Sequence, residues 1–225
     1  MEATVVSIFG DSLAKGIVYD EGRGRYVILR ENAVRRLEGV LPCPVENLSV
    51  MGYTVRQGEA LLTPETLRAG GVAVIEYGGN DCDMPWKDIA ERPEGEYDAN
   101  TPLDAFRKMM GNLARRVRAA GMKPLFIVPP PLDAERYFAW VTRGLNAQNV
   151  LGWLGDVQHI YRWHERYALA VCDIARETRS RVIDLRDAFL SKRCPADYLC
   201  VDGIHPNERG HALIYDAVMD YLQIT

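Results

Sequence analysis

The feature of this chain that most restricts its fold is the recurrence of short apolar runs between longer segments with helical spacing. Residues 4–9 form a β-branched and aromatic run, and residues 72–77 an apolar run flanked by glycines. Residues 125–128 form a run stopped by Pro129-Pro130-Pro131, residues 182–185 a last one, and residues 44–48 a shorter second strand. Short runs rich in Val and Ile suit strands covered on both faces. Helical spacing falls near 28–37, over 54–69 with an interruption at Thr63-Pro64, over 156–178, and from Pro206 to about 222. A further helix should start at Thr101-Pro102-Leu103-Asp104, which resembles a capping box, and run to about 120. Strands separated by helices imply βαβ units, hence a mostly parallel sheet with helices on both faces. Five strands suit one three-layer α/β/α domain over residues 1–225, with no linker, low-complexity tract or repeat.

Two connections are long for such a fold, 82–100 and 129–155. Long excursions after strand carboxyl ends usually shape a site, and that edge is where open α/β sheets bind ligands.

Composition narrows the function. Of 225 residues, 48% are hydrophobic and 26% charged, which excludes a disordered chain and a disulfide-dense mini-protein. Lys and Arg total 27 against 31 Asp and Glu, a net charge of −4, so the chain lacks the basic footprint of a nucleic-acid or anionic-membrane binder. No apolar run approaches the roughly 20 residues that span a bilayer. The amino terminus carries an acid where a signal peptide is basic, which makes the expected location cytoplasmic. The five cysteines, Cys43, Cys82, Cys172, Cys194 and Cys200, are odd in number and contain no CxxC pair, so reduced thiols are expected. Cys194, Cys200, His205 and His211 are close in sequence but fit no common zinc spacing, and no metal or cofactor is expected.

Four blocks carry chemistry. Gly10-Asp11-Ser12-Leu13 directly follows the first strand. Ser12 there either projects a nucleophilic hydroxyl beyond the sheet or caps a helix. A phosphate-binding P-loop fails, because Lys15-Gly16 is reversed and Ile17 stands in the hydroxyl position. Gly78-Gly79-Asn80-Asp81 follows the central strand. Asn80 offers an uncharged donor suited to an oxyanion, although a Gly-Asn turn is the plainer alternative. Asp202-Gly203-Ile204-His205-Pro206 precedes the last helix, and a carboxylate three residues from a histidine can fix the imidazole tautomer. Gly52, in Asn47-Leu48-Ser49-Val50-Met51-Gly52, offers a backbone N–H in a tight loop.

Together, in this order, these blocks make the chain resemble the SGNH hydrolases, also called the GDSL esterase/lipase family, over residues 10–206. The resemblance implies a flavodoxin-like fold and metal-free hydrolysis of a small-molecule ester. It implies Ser12 as nucleophile, His205 as acid–base group and Asp202 as its orienting carboxylate. It implies an oxyanion hole of Ser12 and Gly52 N–H groups with the Asn80 side chain. Asp11 and Asp81 are expected to accept loop N–H groups. His159 and His164, about 140° apart on their helix, are expected to face solvent or bond locally. Trp86 and Trp140, with Tyr97, Tyr137, Phe138, Trp153 and Trp163, either form a substrate wall or pack the excursions down; Trp86 and Trp140 are the substrate-binding candidates. The expected activity is hydrolysis of a short-chain ester, with an acetylated carbohydrate as the favoured case. Thioester hydrolysis, acyl transfer and a non-catalytic binding module are the alternatives. Acyl-CoA would want a basic patch, and Arg115-Arg116-Val117-Arg118 is spread around its helix instead.

Overall fold

The computed structural model describes residues 3–224; Met1 and Glu2, on which the reading of the amino terminus partly rests, and Thr225 lie outside them. In chain order the elements are β1 (Val6–Gly10), α1 (Ser12–Lys15), β2 (Ile17–Asp20), β3 (Arg25–Ile28), α2 (Ala33–Glu38), β4 (Val45–Asn47), α3 (Val55–Ala60), β5 (Val72–Glu76) and α4 (Trp86–Glu91). They continue with α5 (Leu103–Ala119), β6 (Lys123–Val128), α6 (Ala134–Val141), α7 (Ala147–Leu154), α8 (Gln158–Glu177), β7 (Arg181–Asp184), α9 (Leu185–Leu190) and α10 (Glu208–Ile224).

Five strands form a parallel sheet in the order β4-β1-β5-β6-β7, with Val6 opposite both Val45 and Val72. The chain therefore reverses its direction of travel across the sheet between β1 and β5, the switch point at which a flavodoxin-like sheet opens a crevice. Side chains alternate across the sheet with the period of two that a strand imposes. Phe9, Ile75, Phe126 and Val128 pack with Phe106, Leu113 and Val171 from α5 and α8. Val74, Leu125, Ile127 and Ile183 pack with Ala33, Phe189 and Ile214 on the other face. Helices thus cover both faces, as the continuous apolar strands require.

Several elements differ from the sequence expectation. Residues 17–28 form an antiparallel hairpin, β2 paired with β3, where a helix was expected to begin at residue 28. The expected helix over 54–69 stops at Ala60. The Thr66 hydroxyl accepts the Thr63 N–H and donates to Leu61 O, and this turn competes with helix continuation at Thr63-Pro64. Thr101 does not cap α5, whose N-cap is Pro102; its N–H donates to Asp81 O and its carbonyl accepts the Tyr167 hydroxyl. The two long excursions fold into α4, α6 and α7 rather than open loops. Helix α9, a six-residue element directly after β7, was not anticipated.

Helix α3 meets the sheet through Gly58, where a Cβ would fall inside the fully buried Tyr77 ring just after β5. Gly58→Ala should therefore lower stability by about 1–3 kcal/mol through overpacking. A urea midpoint equal to wild type would show that Tyr77 gives way freely.

Candidate active site

Ser12 stands at the first residue of α1, immediately past the carboxyl end of β1. Asp11 caps this short helix by accepting the Leu13 N–H at 3.0 Å, which fixes the backbone on both sides of Ser12. The Ser12 hydroxyl lies 3.0 Å from His205 Nε2, and His205 Nδ1 lies 2.6 Å from Asp202 Oδ2. The Asp202 Oδ1 atom accepts the Ile204 and His205 N–H groups, each at 3.1 Å. Burial alone would raise the Asp202 carboxyl, but these bonds and the nearby imidazole hold it below the usual carboxylate range. An imidazole gripped at Nδ1 by a carboxylate presents Nε2 to the serine, which suits it to take a proton from that hydroxyl.

The loop bearing Asp202 and His205 is closed by one local bond and tied to the start of α6 by another. Cys200 N–H donates to His205 O at 2.7 Å, and Asp133 N–H donates to Gly203 O at 2.8 Å. Gly203 adopts φ +77°, and a Cβ there would come within 2.7 Å of Asp133 O and 2.8 Å of Tyr137 N. Only glycine permits both this backbone and this approach. From the other side, the Tyr26 hydroxyl donates to Asp202 Oδ2 at 3.1 Å. Burial, then the Asp202 charge, push the Tyr26 phenol up, so it stays a donor.

Asn80 follows β5, next to β1 in the sheet. Its amide Nδ2 donates to Asp11 Oδ2 at 2.8 Å and to Tyr53 O at 3.2 Å. Beneath it Glu76, 3% exposed, accepts the Asp11 N–H at 3.2 Å. Burial raises both carboxyl groups, Glu76 well above its ordinary range, and Asp11 repulsion adds to the Glu76 shift. The Leu13 N–H and the Asn80 amide favour the Asp11 anion, and Glu76 is the group raised further, so a proton held by the pair resides on Glu76. Asp81 accepts the Val55 N–H with both oxygens, at 3.0 and 3.1 Å, as Asp11 accepts that of Leu13, in line with the sequence expectation for both. Gly52 occupies an exposed turn with φ +81° beside Tyr53 and does not line the cleft.

The cleft beside Ser12 and His205 holds about 130 Å³. Trp86 lines it, fixed by its indole N–H donating to Asp83 Oδ1 at 2.7 Å, a carboxyl that also accepts the Tyr137 hydroxyl at 2.6 Å. Trp140 does not line it, which corrects the sequence expectation. Its ring packs against Tyr19 at 4.6 Å and Tyr26 at 6.2 Å, with the Arg143 guanidinium 3.6 Å over its face. Trp140 thus braces the unexpected hairpin from outside the cleft. Trp153 and Trp163 take part in the wall instead. His159 and His164 also line the cleft, and His164 is buried, because α8 turns this stretch inward past the excursion helices. No Lys or Arg side chain among the described residues lines the cleft, whereas Asp11, Glu76 and Asp83 do. Arg115, Arg116 and Arg118 bond to Asn112, to Glu59 and Leu62 O, and to Arg179 O and Ser180 respectively. Among the described residues no cluster of three or more His, Cys, Asp or Glu is arranged to hold a metal ion, and no helix is long and apolar enough to cross a membrane.

Sequence reasoning missed Tyr26, Glu76 and Arg186. Each left a trace: a β-branched run on either side of Gly22 and Gly24, an acid inside a run read as wholly apolar, and a cation behind the last strand.

A serine, a histidine and a carboxylate in hydrogen-bonded series at the carboxyl edge of a parallel sheet is the arrangement of the serine-dependent acyl hydrolases. Residues 8–213 match the model of the GDSL-like lipase/acylhydrolase family. The chain belongs to that family and is an SGNH-type serine ester hydrolase. Among solved structures it is similar to a lipase/acylhydrolase from Enterococcus faecalis, with 18% identity, 99% of this chain and 95% of that chain covered, and a TM-score of 0.66. It is also similar to an acetylxylan esterase from Geobacillus stearothermophilus, with 20% identity, 97% and 94% covered, and a TM-score of 0.64. No curated protein matches the chain.

The electrostatics have one consequence for stability. Burial, then the charge of His205 nearby, push His211 down to about 4. Its folded value lies below the usual 6.5, so its contribution is complete above pH 6.5 and is lost as pH falls toward 4. The loss from this group amounts to at most about 3 kcal/mol. Asp81, raised to about 6 chiefly by burial, acts in the opposite sense, losing its contribution as pH rises through 6. Comparison of wild type with His211→Gln isolates the histidine. The wild-type melting temperature should fall more steeply between pH 6.5 and 4 than that of the variant. Parallel curves would show that His211 does not titrate this way.

Proposed function

We propose that this hydrolase cleaves small acyl esters through an acyl-enzyme on Ser12, with an acetylated carbohydrate as the favoured substrate. The observation that carries the reading is the continuous relay Ser12–His205–Asp202, with distances of 3.0 and 2.6 Å, opening into the cleft. Ser12 Oγ attacks the ester carbonyl while His205 takes its proton. The tetrahedral oxyanion is met by the Ser12 N–H and the Asn80 amide, both of which line the cleft, whereas Gly52 in its exposed turn takes no part. The longer Asn80 bond, to Tyr53 O, is the one the oxyanion replaces, while the Asp11 bond keeps the amide aimed. His205 then protonates the leaving alcohol, and water releases the acyl group.

The small cleft volume supports a short acyl group: it is close to the roughly 150 Å³ that accommodates a benzene molecule. The Trp86, Trp153 and Trp163 walls support an alcohol with flat faces. The absence of Lys and Arg from the cleft lining, beside three carboxyl groups, favours an uncharged alcohol over a phosphate-bearing thiol such as coenzyme A. The similar esterase from Geobacillus acts, by its name, on acetylxylan.

The test is hydrolysis of p-nitrophenyl acetate, butyrate and octanoate. Turnover should fall with chain length and drop about 10⁴–10⁶-fold in Ser12→Ala. Asn80→Ala should lower kcat about 10²–10³-fold. Tyr26→Phe removes one hydrogen bond to the ionised Asp202 carboxylate and should cost about 10–100-fold. Turnover in Ser12→Ala equal to wild type would rule out the acyl-enzyme, and faster octanoate hydrolysis would rule out the short acyl pocket.

A further inference from the structure

Arg186, at the start of α9, is 5% exposed. A buried guanidinium must spend its donors on the protein. Its Nε donates to Glu165 Oε2 at 2.7 Å. Its Nη1 donates to Pro129 O and Pro130 O, each at 3.3 Å, at the start of the second excursion. The two terminal nitrogens also approach His164 Nδ1, at 3.4 and 3.5 Å. Arginine can only donate, so His164 Nδ1 must accept, and the neutral ring carries its proton on Nε2. Burial, then the Arg186 charge, push His164 down to about 3, which keeps the ring neutral through the working range. His164 is 6% exposed, its ring lines the cleft that holds Ser12, and its Nε2 takes no partner among the described residues.

We infer that His164, locked by Arg186, is a specificity-determining donor for the alcohol part of the ester, and that its Nε2–H takes an uncharged ring or hydroxyl oxygen of a sugar-like alcohol. This rests on the esterase reading above and assigns it a leaving-group subsite. With Nδ1 committed to Arg186 and no protein acceptor for Nε2 among the described residues, the Nε2–H is left for a ligand oxygen in the cleft that His164 lines. The chemistry of the surroundings decides which ligand. Trp163 lies beside His164, stacked on His159 at 6.2 Å with the planes 21° apart, and Trp153 lies 6.4 Å from His159. Aromatic planes next to a fixed neutral N–H suit a ring that is apolar on its faces and oxygen-bearing at its rim. The Arg186 charge behind the ring is already paired with Glu165 and no Lys or Arg among the described residues lines the cleft, so an anion meets no free cation there, and a plain alkyl alcohol would leave the donor unmet.

The experiment measures kcat and KM of wild type, His164→Phe and His164→Gln on two acetate esters, p-nitrophenyl acetate and a mono-acetylated methyl xyloside. Phe keeps the ring shape without the donor, and Gln supplies a neutral N–H. The ratio of kcat/KM for the sugar ester to that for p-nitrophenyl acetate should fall at least about 10-fold in His164→Phe, chiefly through KM, the scale expected when a site that hydrogen-bonds its substrate loses that bond. His164→Gln should recover a substantial part of the ratio. A ratio unchanged in His164→Phe, whether both activities drop together or neither does, would make His164 a packing residue and overturn the inference. Wild-type hydrolysis of p-nitrophenyl acetate but not of the sugar ester would overturn it as well. No Ser12-dependent hydrolysis of either ester would instead refute the esterase reading on which it stands.

Discussion

The Asp11 carboxyl stands between the serine and the amide donor and belongs to both. One oxygen accepts the Leu13 N–H that starts α1, and the other accepts Asn80. Its own N–H is held by Glu76 from the end of the neighbouring strand. Two of these bonds, Asn80 to Asp11 and the Asp11 N–H to Glu76, join the carboxyl ends of β1 and β5 at a largely buried node beside the cleft. Buried carboxyl groups are unfavourable unless every lone pair is used or the proton is retained, and here both devices operate. The outcome is that Ser12 and Asn80 keep their relative positions without relying on loop stiffness, a form of preorganisation suited to stabilising charge that appears only during reaction.

Around this node the site is assembled in layers of decreasing rigidity. The sheet switch point fixes Ser12 and Asn80, and the loop before α10 adds His205 and Asp202 as a pre-bonded unit. The excursions and α8 then contribute the walls, Trp86 held by Asp83 and Trp163 carried by α8. The layering fits chemistry that stays constant beside a binding surface that varies, because substitutions in α4, α6 or α7 leave the sheet hydrogen bonds untouched.

The sequence disclosed the sheet, and the residues that meet at Ser12, well because both depend on local signals. Apolar runs bounded by Gly and Pro mark strands, Ser12 and Asn80 lie within a few residues of such boundaries, and His205 stands in a turn marked by Gly203 and Pro206 before the last helix. What it hid was decided by partners far along the chain. Tyr26 reaches Asp202 only because the hairpin folds back over the last loop. Glu76 is intelligible as an acid in a strand only once Asp11 is seen beside it. Trp140 and Trp163 look alike in sequence, yet one braces the hairpin and the other lines the cleft, and only the helix packing separates them.

Asp202 and His205 are three residues apart and bond each other within their own loop, whereas the hydrogen bond that the Ser12 hydroxyl donates to His205 joins residues 193 positions apart. The acid–base pair is thus a nearly self-contained cassette delivered by the carboxy-terminal segment, and its reactivity depends on docking rather than on assembly. Fraying of α10 from the sheet would separate Ser12 from His205 while the Asp202–His205 bond and the sheet both remain intact. Activity in such a molecule reports the seating of its last segment, and it would disappear at a denaturant concentration where spectroscopic measures of the fold still read native.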